Sequence, residues 1–564
     1  MENKEYMLID GNPVEINGEK NLLEVIRKAG IELPTFCYHS ELSVYGACRM
    51  CMVENSHGGM EAACSTVPKA GMEIYTNTER LHKHRKMILE LLLANHCRDC
   101  TTCQKNGKCR LQELASLFGL ESIRFKNLKP EPELDTSSLS IIRDAHKCIL
   151  CGDCVRMCNE IQNVGAIDFV NRGSKMVIGP AFNEPIAKSP CVGCGQCAAV
   201  CPTGAIVIRK DTGRVWPELN DKNTKVVAQV APAVRVAMAK EFGLPENENS
   251  MGRITAALRR LGFDEVYDTA TGADLTVLEE SNEFLQRIEA GENLPLITSC
   301  CPAWIQYCEK NHPELMKNIS TCKSPMQMFS SVIKAKYATS SRRVVCVAVM
   351  PCTAKKFECA REEFMHDGVP ETDYVITTQE LIQMIHKAGI VFEELEPEAV
   401  DSVFSTCTGA GVIFGVTGGV TEAVLRRLST DKSNKALMSI AFNDVRGMKG
   451  VKETTIPYGD KEVRIAIVSG LKNAESVIQA LKNGEHYDFI EVMACPGGCV
   501  AGGGQPFGTN ATKEVRGKAL YSADKMLSIK RSEENPLMIS LYDGVLKGRV
   551  HELLHVHYNH KEDE

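Results

Sequence analysis

The C-terminal half of the chain alternates apolar runs with amphipathic segments. The run Val463–Gly470 predicts a buried strand, Leu471–Asn483 has the periodicity of a helix, and Asp488–Met493 predicts a second strand. Arg343–Met350 predicts a further strand, and Leu294–Ile297 a weaker one. Because two strands joined through a helix run parallel, this pattern predicts an α/β domain built on parallel sheets.

Cysteine-bearing segments lie at the ends of three of these predicted strands. They are Thr298–Trp304, Met350–Glu358 and Glu491–Pro506. Active sites of open α/β sheets lie outside the carboxyl ends of the strands. We therefore expect the three segments to converge on one site, although they are far apart in the sequence.

The N-terminal part has shorter elements. Tyr6–Ile16 has the pattern of a hairpin, Asn21–Gly30 is amphipathic, and Thr78–Ala94 has helical periodicity. The proline- and glutamate-rich stretch Lys129–Asp135 predicts a linker.

Length and charge narrow the class of protein. A chain of 564 residues is too long for one core and predicts several domains. It has neither an apolar run long enough for a membrane span nor a basic and then apolar leader, so we predict a cytoplasmic protein. A net charge of −7 disfavours nucleic acid as a partner.

The cysteine content changes this picture most. The chain has 26 cysteines, and sixteen of them lie between Cys37 and Cys201 in tight groups. Thiols in a cytosolic protein are kept reduced, so metal ligation is favoured over disulfides. The remaining isolated cysteines, such as Cys346, are interpreted as core or surface residues.

The first N-terminal group of cysteines predicts an iron–sulfur cluster. One C-x₂-C pair with two further thiols is sufficient for a [2Fe–2S] cluster, and the spacing is similar to that of the β-grasp ferredoxin domain. Zinc is the alternative for this group. Its members are Cys37, Cys48, Cys51 and Cys64.

The next pattern, C-x₂-C-x₂-C-x₃-C, occurs twice and is typical of bacterial ferredoxins with two [4Fe–4S] clusters. The fourth cysteine of each run ligates the other cluster. The predicted sets are Cys148, Cys151, Cys154 and Cys201 for one cluster, and Cys158, Cys191, Cys194 and Cys197 for the other.

The three strand-end segments resemble the signature motifs of the [FeFe]-hydrogenases. The resemblance implies a [4Fe–4S] cluster joined through one cysteine to a two-iron site that carries carbon monoxide, cyanide and a bridging dithiolate. The matching ligands are Cys301, Cys352, Cys495 and Cys499, with Cys499 as the bridging thiolate. Related iron–sulfur assembly proteins keep such a cluster without the two-iron site, which leaves a non-catalytic scaffold as an alternative.

A further [4Fe–4S] site, between the [2Fe–2S] group and the ferredoxin-type runs in the sequence, has two possible ligand sets. By spacing alone, Cys97, Cys100, Cys103 and Cys109 form an all-thiolate site. The segment is also similar to the family motif H-x₃-C-x₂-C-x₅-C, in which His96 replaces Cys97 as the fourth ligand. We favour His96, because adjacent ligands crowd one corner of a cluster.

The resemblance also assigns roles to residues that are not ligands. It implies that Cys300 exchanges protons with the dithiolate, and a thiol whose pKa is tuned towards neutrality suits that step. Lys355 matches a lysine that binds an iron-bound cyanide, and Ser324 a hydroxyl near the other cyanide. Met350 and Met493 match methionines packed against the two-iron site.

A proton path is implied by the same resemblance. Glu280, Ser320, Glu283 and Arg287 match a relay from Cys300 to the surface. Without the resemblance, the two glutamates would be interpreted as solvated charges on one helix face. Glu358 is either a buried ion-pair partner or part of a relay.

The resulting hypothesis is a multidomain α/β enzyme. We predict a β-grasp [2Fe–2S] domain (1–78), a small helical [4Fe–4S] domain (79–126), a two-cluster ferredoxin-like domain (127–209) and a two-lobed α/β catalytic domain with parallel sheets (210–564). The cofactors would be one [2Fe–2S] cluster, four [4Fe–4S] clusters and the two-iron site. The predicted reaction is 2H⁺ + 2e⁻ ⇌ H₂, and its metal centre would require maturation enzymes.

The electron partner has two candidates. Soluble ferredoxin is the simpler one. Pro496 and the surrounding Ala494–Cys499 segment are similar instead to subunits of NADH-linked, electron-bifurcating complexes. The chain has no dinucleotide fingerprint, so NADH chemistry would require separate flavin-bearing subunits.

Overall fold

The computed structural model describes residues 5–127, 134–429, 445–458 and 461–558. Residues 129–133 of the predicted linker lie outside these ranges. The first part of the chain forms a mixed five-stranded sheet with the helix Leu22–Lys28. In spatial order its strands are Asn12–Ile16, Glu5–Ile9, Glu73–Tyr75, Met52–Asn55 and Met60–Ala62. The predicted hairpin is confirmed by antiparallel pairing of Glu5–Ile9 with Asn12–Ile16.

Two helices follow this sheet. The predicted helix is present as Glu79–Ala94, and the Thr78 hydroxyl caps its first turn by accepting a hydrogen bond from the Leu81 amide. It packs against the second helix, Arg110–Leu117. The loop between the two helices carries the cysteines from 97 to 109.

The next region is held together by two short antiparallel ribbons. Ile141–Arg143 pairs with Ile206–Ile208, and Asp168–Val170 pairs with Val177–Gly179. Its helical segments are Asp153–Arg156, Met157–Ile161 and Gln196–Val200. The cysteine side chains take part in its small apolar core.

The C-terminal half contains two separate four-stranded sheets. The first is entirely parallel, with the spatial order Glu265–Asp268, Thr224–Val230, Arg343–Met350 and Tyr374–Thr377. The second has the order Leu296–Ile297, Phe489–Met493, Lys461–Ser469 and Val451–Tyr458. The predicted strands are therefore confirmed, with ends shifted by one or two residues.

The prediction of purely parallel sheets is wrong for the second sheet. Its edge strand Val451–Tyr458 pairs antiparallel with Lys461–Ser469 along eight residue pairs. These two strands are close neighbours in sequence, and a short connection allows only antiparallel pairing. The other two strand pairs of this sheet are parallel.

Helices surround both sheets. The longest, Ala270–Ala290, is buried along most of its first half and packs against Pro325–Lys336, Gly409–Val412 and Gly419–Leu428. In the described part of this half, the other α-helices are Thr212–Asn220, Met251–Leu261, Pro302–Asn311, Ala354–Glu358, Thr378–Lys387, Leu471–Lys482, Asn510–Met526, Pro536–Asp543 and Val550–Leu554. Among the described residues, no helix is long and apolar enough to cross a membrane.

Candidate active site

The strand ends of both sheets surround one internal cavity of about 90 Å³. Leu296–Ile297 and Phe489–Met493 reach it from the second sheet, and Arg343–Met350 from the first. The predicted convergence of the three segments is therefore present. Predicted site residues in its wall are Cys300, Cys301, Cys352, Cys495, Cys499, Met350, Lys355 and Met493.

Local sequence features position Cys301 and Cys499 at the strand ends. Cys301 occupies the N-cap of Pro302–Asn311, and Pro302 fills the first helical position, which needs no amide donor. In the third segment, Gly498 has φ +91°, and a Cβ there would lie 2.6 Å from the Thr417 amide nitrogen. Only glycine satisfies both conditions, so the backbone can turn tightly beside Cys499.

The four predicted ligand thiols fit an iron–sulfur cluster. Burial raises the pKa of Cys301 and Cys499, and raises that of Cys352 to about 11. Buried thiols of this kind become thiolates when a metal provides the compensating charge. The Ala494 amide also donates to Cys301 Sγ at 3.4 Å, a contact that stabilises sulfur ligands.

Cys300 is the extra thiol of the cavity. Burial raises its pKa well above the ordinary value, and the neighbouring Glu280 and Cys301 raise it further. In this environment Cys300 holds its proton at neutral pH, which makes it a proton donor. Tuning of this thiol towards neutrality refers to the metal-bound site and stays a prediction.

Lys355 forms a buried ion pair with Glu358. Its Nζ lies 2.8 Å from Glu358 Oε2 and donates to the Cys300 carbonyl at 3.2 Å. Burial opposes the charge of Lys355, but Glu358 and the cavity thiols raise the pKa overall. Glu358 thus has the ion-pair geometry, one of the two roles considered for it. A cation fixed in the cavity wall can stabilise an anionic ligand there.

The predicted proton path is connected by hydrogen bonds from Ser320 outward, but neither carboxyl oxygen of Glu280 has a hydrogen-bond partner in the described part of the chain. Ser320 Oγ donates to Glu283 Oε2 at 2.9 Å, and Arg287 donates to Glu283 Oε1 at 2.6 Å. Glu280 is completely buried. Burial and the charge of Glu283 raise its pKa to about 8, against the opposing effect of the nearby Ser320 hydroxyl. Its carboxyl is therefore protonated at neutral pH.

Ser324 is not among the residues that line the cavity. Its hydroxyl accepts a hydrogen bond from the Gln327 amide at 3.5 Å and caps Pro325–Lys336. The following residues Pro325 and Met326 form the wall instead. The structure therefore places Ser324 next to the wall, with its hydroxyl at a helix N-cap, and its role near a cyanide stays a prediction.

Sequence reasoning missed part of the wall. Ala231–Ala233 and Phe414 line the cavity, and Ala231–Ala233 directly follows the strand Thr224–Val230. The position of this segment at a fourth strand end was the available signal, since parallel strands place their carboxyl ends together. The lack of polar side chains concealed it.

The eight ferredoxin-type cysteines separate into two cavities of about 20 Å³ each. The first is lined by Cys148, Cys151, Cys154 and Cys201, and the second by Cys158, Cys191, Cys194 and Cys197. This is the grouping expected when the fourth cysteine of each run crosses to the other site. A pair of four-thiol cavities fits two [4Fe–4S] clusters.

The second of these cavities adjoins the active-site cavity. Gln196 Nε2 donates to Cys495 Sγ at 3.1 Å and to the Ala501 carbonyl at 2.9 Å. A Cβ at Gly503 would lie 2.4 Å from the Cys194 carbonyl oxygen, so only glycine permits this approach. These contacts between the two cysteine-bearing segments provide a short route for electrons. Gln196 was also missed, although it lies between two predicted ligands.

The outer cysteines continue this chain of contacts. His96, Cys97, Cys100, Cys103 and Cys109 line one small cavity together with Gly204 of the ferredoxin-like region. His96 and Cys97 both reach it, so the choice between them stays a prediction.

The [2Fe–2S] candidates also adjoin the ferredoxin-like region, since Cys37 shares an apolar cluster with Cys151. The Cys48 amide donates to Cys37 Sγ at 3.3 Å, and Arg156 donates to the Cys37 carbonyl at 2.9 Å. Hydrogen bonding to Cys48 raises the pKa of Cys37, and hydrogen bonding to Cys64 raises that of Cys51. The four thiols therefore lie in two contacting pairs.

Family models match most of the chain. Residues 224–503 match the iron only hydrogenase large subunit, C-terminal domain, and residues 510–561 match the iron hydrogenase small subunit. The N-terminal matches are a 2Fe-2S cluster binding domain (6–79), the NADH-ubiquinone oxidoreductase-G iron-sulfur binding region (85–124) and a 4Fe-4S dicluster domain (147–211). The match at 510–561 distinguishes a C-terminal segment that was predicted as part of the catalytic domain.

Individual proteins are similar over nearly the whole length. The NADP-reducing hydrogenase subunit HndD of Solidesulfovibrio fructosivorans is 41% identical over 98% of both chains. Iron hydrogenase 1 of Clostridium pasteurianum is 35% identical over 98% of this chain and 99% of its own. A solved variant of [FeFe]-hydrogenase HydA1 from Chlamydomonas reinhardtii is 37% identical with a TM-score of 0.53, covering 62% of this chain and 98% of that one.

Proposed function

This chain belongs to the iron-only, or [FeFe]-, hydrogenase family, and we propose that it catalyses 2H⁺ + 2e⁻ ⇌ H₂ in the cavity at the strand ends. One observation carries the proposal. Cys300, Lys355, Met350 and Met493 line the same cavity as the four ligand cysteines. A scaffold protein needs thiols for its cluster, but it has no need of a buried proton donor and a fixed cation beside them.

The residues fit the metal centre of the family. Cys301, Cys352, Cys495 and Cys499 would hold the [4Fe–4S] cluster, and Cys499 would bridge to a two-iron site with carbon monoxide, cyanide and dithiolate. When bound, this centre supplies the two electrons and the site at which the H–H bond forms or breaks.

The protein moves the protons and shapes the cavity. Cys300 holds a proton next to the reacting site, and Glu280 replaces it from the buried end of the relay. Lys355 is held by Glu358 and faces the cavity as a cation. Met350 and Met493, each 3% exposed, are apolar walls that limit access of water.

Four accessory clusters would conduct electrons to this site. The proposed order ends at the cluster of Cys158, Cys191, Cys194 and Cys197, because its cavity adjoins Cys495 through Gln196. The [2Fe–2S] and His96-containing sites lie further out. In this proposal the first three predicted domains conduct electrons and the fourth carries the catalytic site, with a separate C-terminal segment after residue 503.

The hydrogenase proposal predicts a specific infrared signature. Protein expressed with the maturation enzymes is expected to show bands of iron-bound carbon monoxide and cyanide. Protein expressed without them should keep its iron–sulfur absorption and lack these bands. Matured protein with intact [4Fe–4S] clusters and no such bands would identify a scaffold instead.

A nucleotide-linked complex is the second candidate context. The support is the 41% identity with a protein named as a subunit of an NADP-reducing hydrogenase, over 98% of both chains. Pro496 agrees with this reading. Pro496 lies close to the ferredoxin-like region. Its ring and the Ile161 carbonyl oxygen both lie near Gly470, each 3.8 Å from the place that a Cβ of this glycine would occupy.

The two electron partners are separable by purification and assay. If partner subunits carry the nucleotide chemistry, the native protein is expected to co-purify with a flavoprotein and to evolve hydrogen from NADH or NADPH. The isolated chain should evolve hydrogen only when reduced viologen or reduced ferredoxin supplies the electrons. Hydrogen evolution from a nicotinamide nucleotide by the isolated chain would contradict the need for such subunits.

A further inference from the structure

The outer end of the proton path contains a group that the relay from Cys300 to Arg287 does not include. Arg287 donates to Glu283 and also to the carbonyl oxygens of Asn318 and Ile319, at 2.9 Å each. A guanidinium is not deprotonated in proteins, so it holds a charge but does not pass a proton. Glu283, whose side chain is 11% exposed, therefore exchanges protons either directly with solvent or through a different titratable neighbour.

His555 is such a neighbour. The Thr321 hydroxyl donates to Glu283 Oε2 at 3.2 Å and lies 2.9 Å from His555 Nδ1. The other ring nitrogen, Nε2, lies 3.1 Å from Glu279 Oε2. Imidazole is the side chain that gains and loses protons most readily near neutral pH.

Backbone pairing fixes this arrangement. The Val556 amide donates to the Thr321 carbonyl at 2.7 Å, and the Lys323 amide donates to the Leu554 carbonyl at 2.9 Å. His555 is thereby held against the loop that follows Ser320. One oxygen of Glu283, the sulfur of Cys322 and a ring nitrogen of His555 all lie within 4.8 Å of one another.

The ring also reaches the surface. The side chains of His555 and Glu279 are each 9% exposed, whereas Glu280 is 0% exposed. Glu279 accepts a hydrogen bond from Tyr542. The ring of His551 lies 4.6 Å from that of His555 at a tilt of 38°, but no hydrogen bond joins it to the described residues of this network. A chain of polar groups thus runs from the protein surface to the buried part of the relay.

We infer that His555 passes protons between solvent and Glu283 through the Thr321 hydroxyl. The inference rests on the proposed hydrogenase function and assigns the outer end of its path to the C-terminal segment. For uptake, the protonated ring of His555 releases a proton from Nδ1 to the Thr321 oxygen while the Thr321 hydroxyl proton moves to Glu283, which leaves a neutral ring with its proton on Nε2 beside Glu279. Glu283 then passes its proton to Ser320, the Thr321 hydroxyl turns back, and the ring turns to solvent and takes a new proton, which restores the starting state.

The test compares matured His555→Ala, Thr321→Val and His551→Ala enzymes with the wild type. His555→Ala is expected to evolve hydrogen about tenfold more slowly, with a larger solvent isotope effect; the loss stays below that of a directly acting acid–base group because water still reaches Glu283. Added imidazole should restore most of the rate. Thr321→Val should be slow without rescue, and His551→Ala should match the wild type.

A second measurement does not depend on turnover. Redox-induced infrared difference spectra should contain a carboxyl band that disappears in Glu283→Gln. This band is expected to shift in His555→Ala and Thr321→Val but not in His551→Ala. An unchanged rate and an unchanged band in His555→Ala would overturn the inference, as would a slow variant that imidazole does not rescue. Absence of hydrogen turnover in the wild type, by contrast, would refute the proposed function itself.

Discussion

Cys300→Ala is expected to abolish nearly all hydrogen turnover while leaving the metal centre assembled. Cys300 is not one of the four proposed ligands, so the cluster and its infrared bands should persist. Among the described residues, Cys300 is the one thiol of the cavity wall outside the proposed ligand set, and the variant lacks it. Positioned acid–base groups contribute about 10²- to 10⁴-fold to a rate, so we expect a loss in this range. Infrared spectra and hydrogen evolution from reduced viologen, measured on the same sample, check both halves.

Cys359→Ala is the matched control for this experiment. Cys359 is also a partly buried free thiol close to the second segment, but it donates to the Lys356 carbonyl at 3.2 Å and does not line the cavity. Its replacement should leave turnover at the wild-type level. A Cys300→Ala enzyme with normal turnover would show that another group delivers the proton.

Glu280→Gln is expected to produce the second large loss. The amide has nearly the shape of the carboxyl group but cannot gain or release a proton, so the proposed transfer from Ser320 to Cys300 is interrupted. A decrease of about 10²-fold or more is expected in both reaction directions. The infrared bands of the metal centre should again be unchanged, since Glu280 has no place in the proposed ligand set.

The pKa of Glu280 adds a dependence on pH with a defined sign. Burial raises this pKa to about 8, so the carboxyl holds a proton below pH 8 and loses it above. Hydrogen evolution requires the protonated form and should fall as pH rises through about 8. Hydrogen oxidation requires the carboxylate as acceptor and should rise over the same interval.

The same substitution on an exposed residue provides the control. Glu289 lies near the end of the helix that carries Glu280, and its side chain is exposed. Glu289→Gln should preserve the rates and the pH profile. If Glu280→Gln retained the wild-type profile, the titrating group would have to be sought elsewhere.

Much of the fold was predictable from local pattern. The strands Arg343–Met350 and Phe489–Met493 are apolar runs between polar boundaries, and this pattern can be recognised from neighbouring residues alone. Their ends carried the cysteine segments, so convergence followed from the geometry of parallel sheets. The two ferredoxin-type runs likewise encode their ligand spacing within a few residues.

Other features depended on contacts between distant parts of the chain. The raised pKa of Cys300 and the contact of Gln196 with Cys495 each follow from packing that no local pattern records. The raised pKa is the clearest case. A thiol in sequence has only its ordinary pKa, and burial beside Glu280 exists only in the folded protein.

Cysteine spacing and strand boundaries are short-range properties, so the types of chemistry in this protein can be read from its sequence. Which groups meet depends on the tertiary structure. It sorted eight thiols into two cavities, joined Gln196 to Cys495 across 299 positions, and placed His555 beside Thr321 across 234 positions. The physical reason is that hydrogen bonds act over about 3 Å, and only folding brings groups so distant in sequence to that separation.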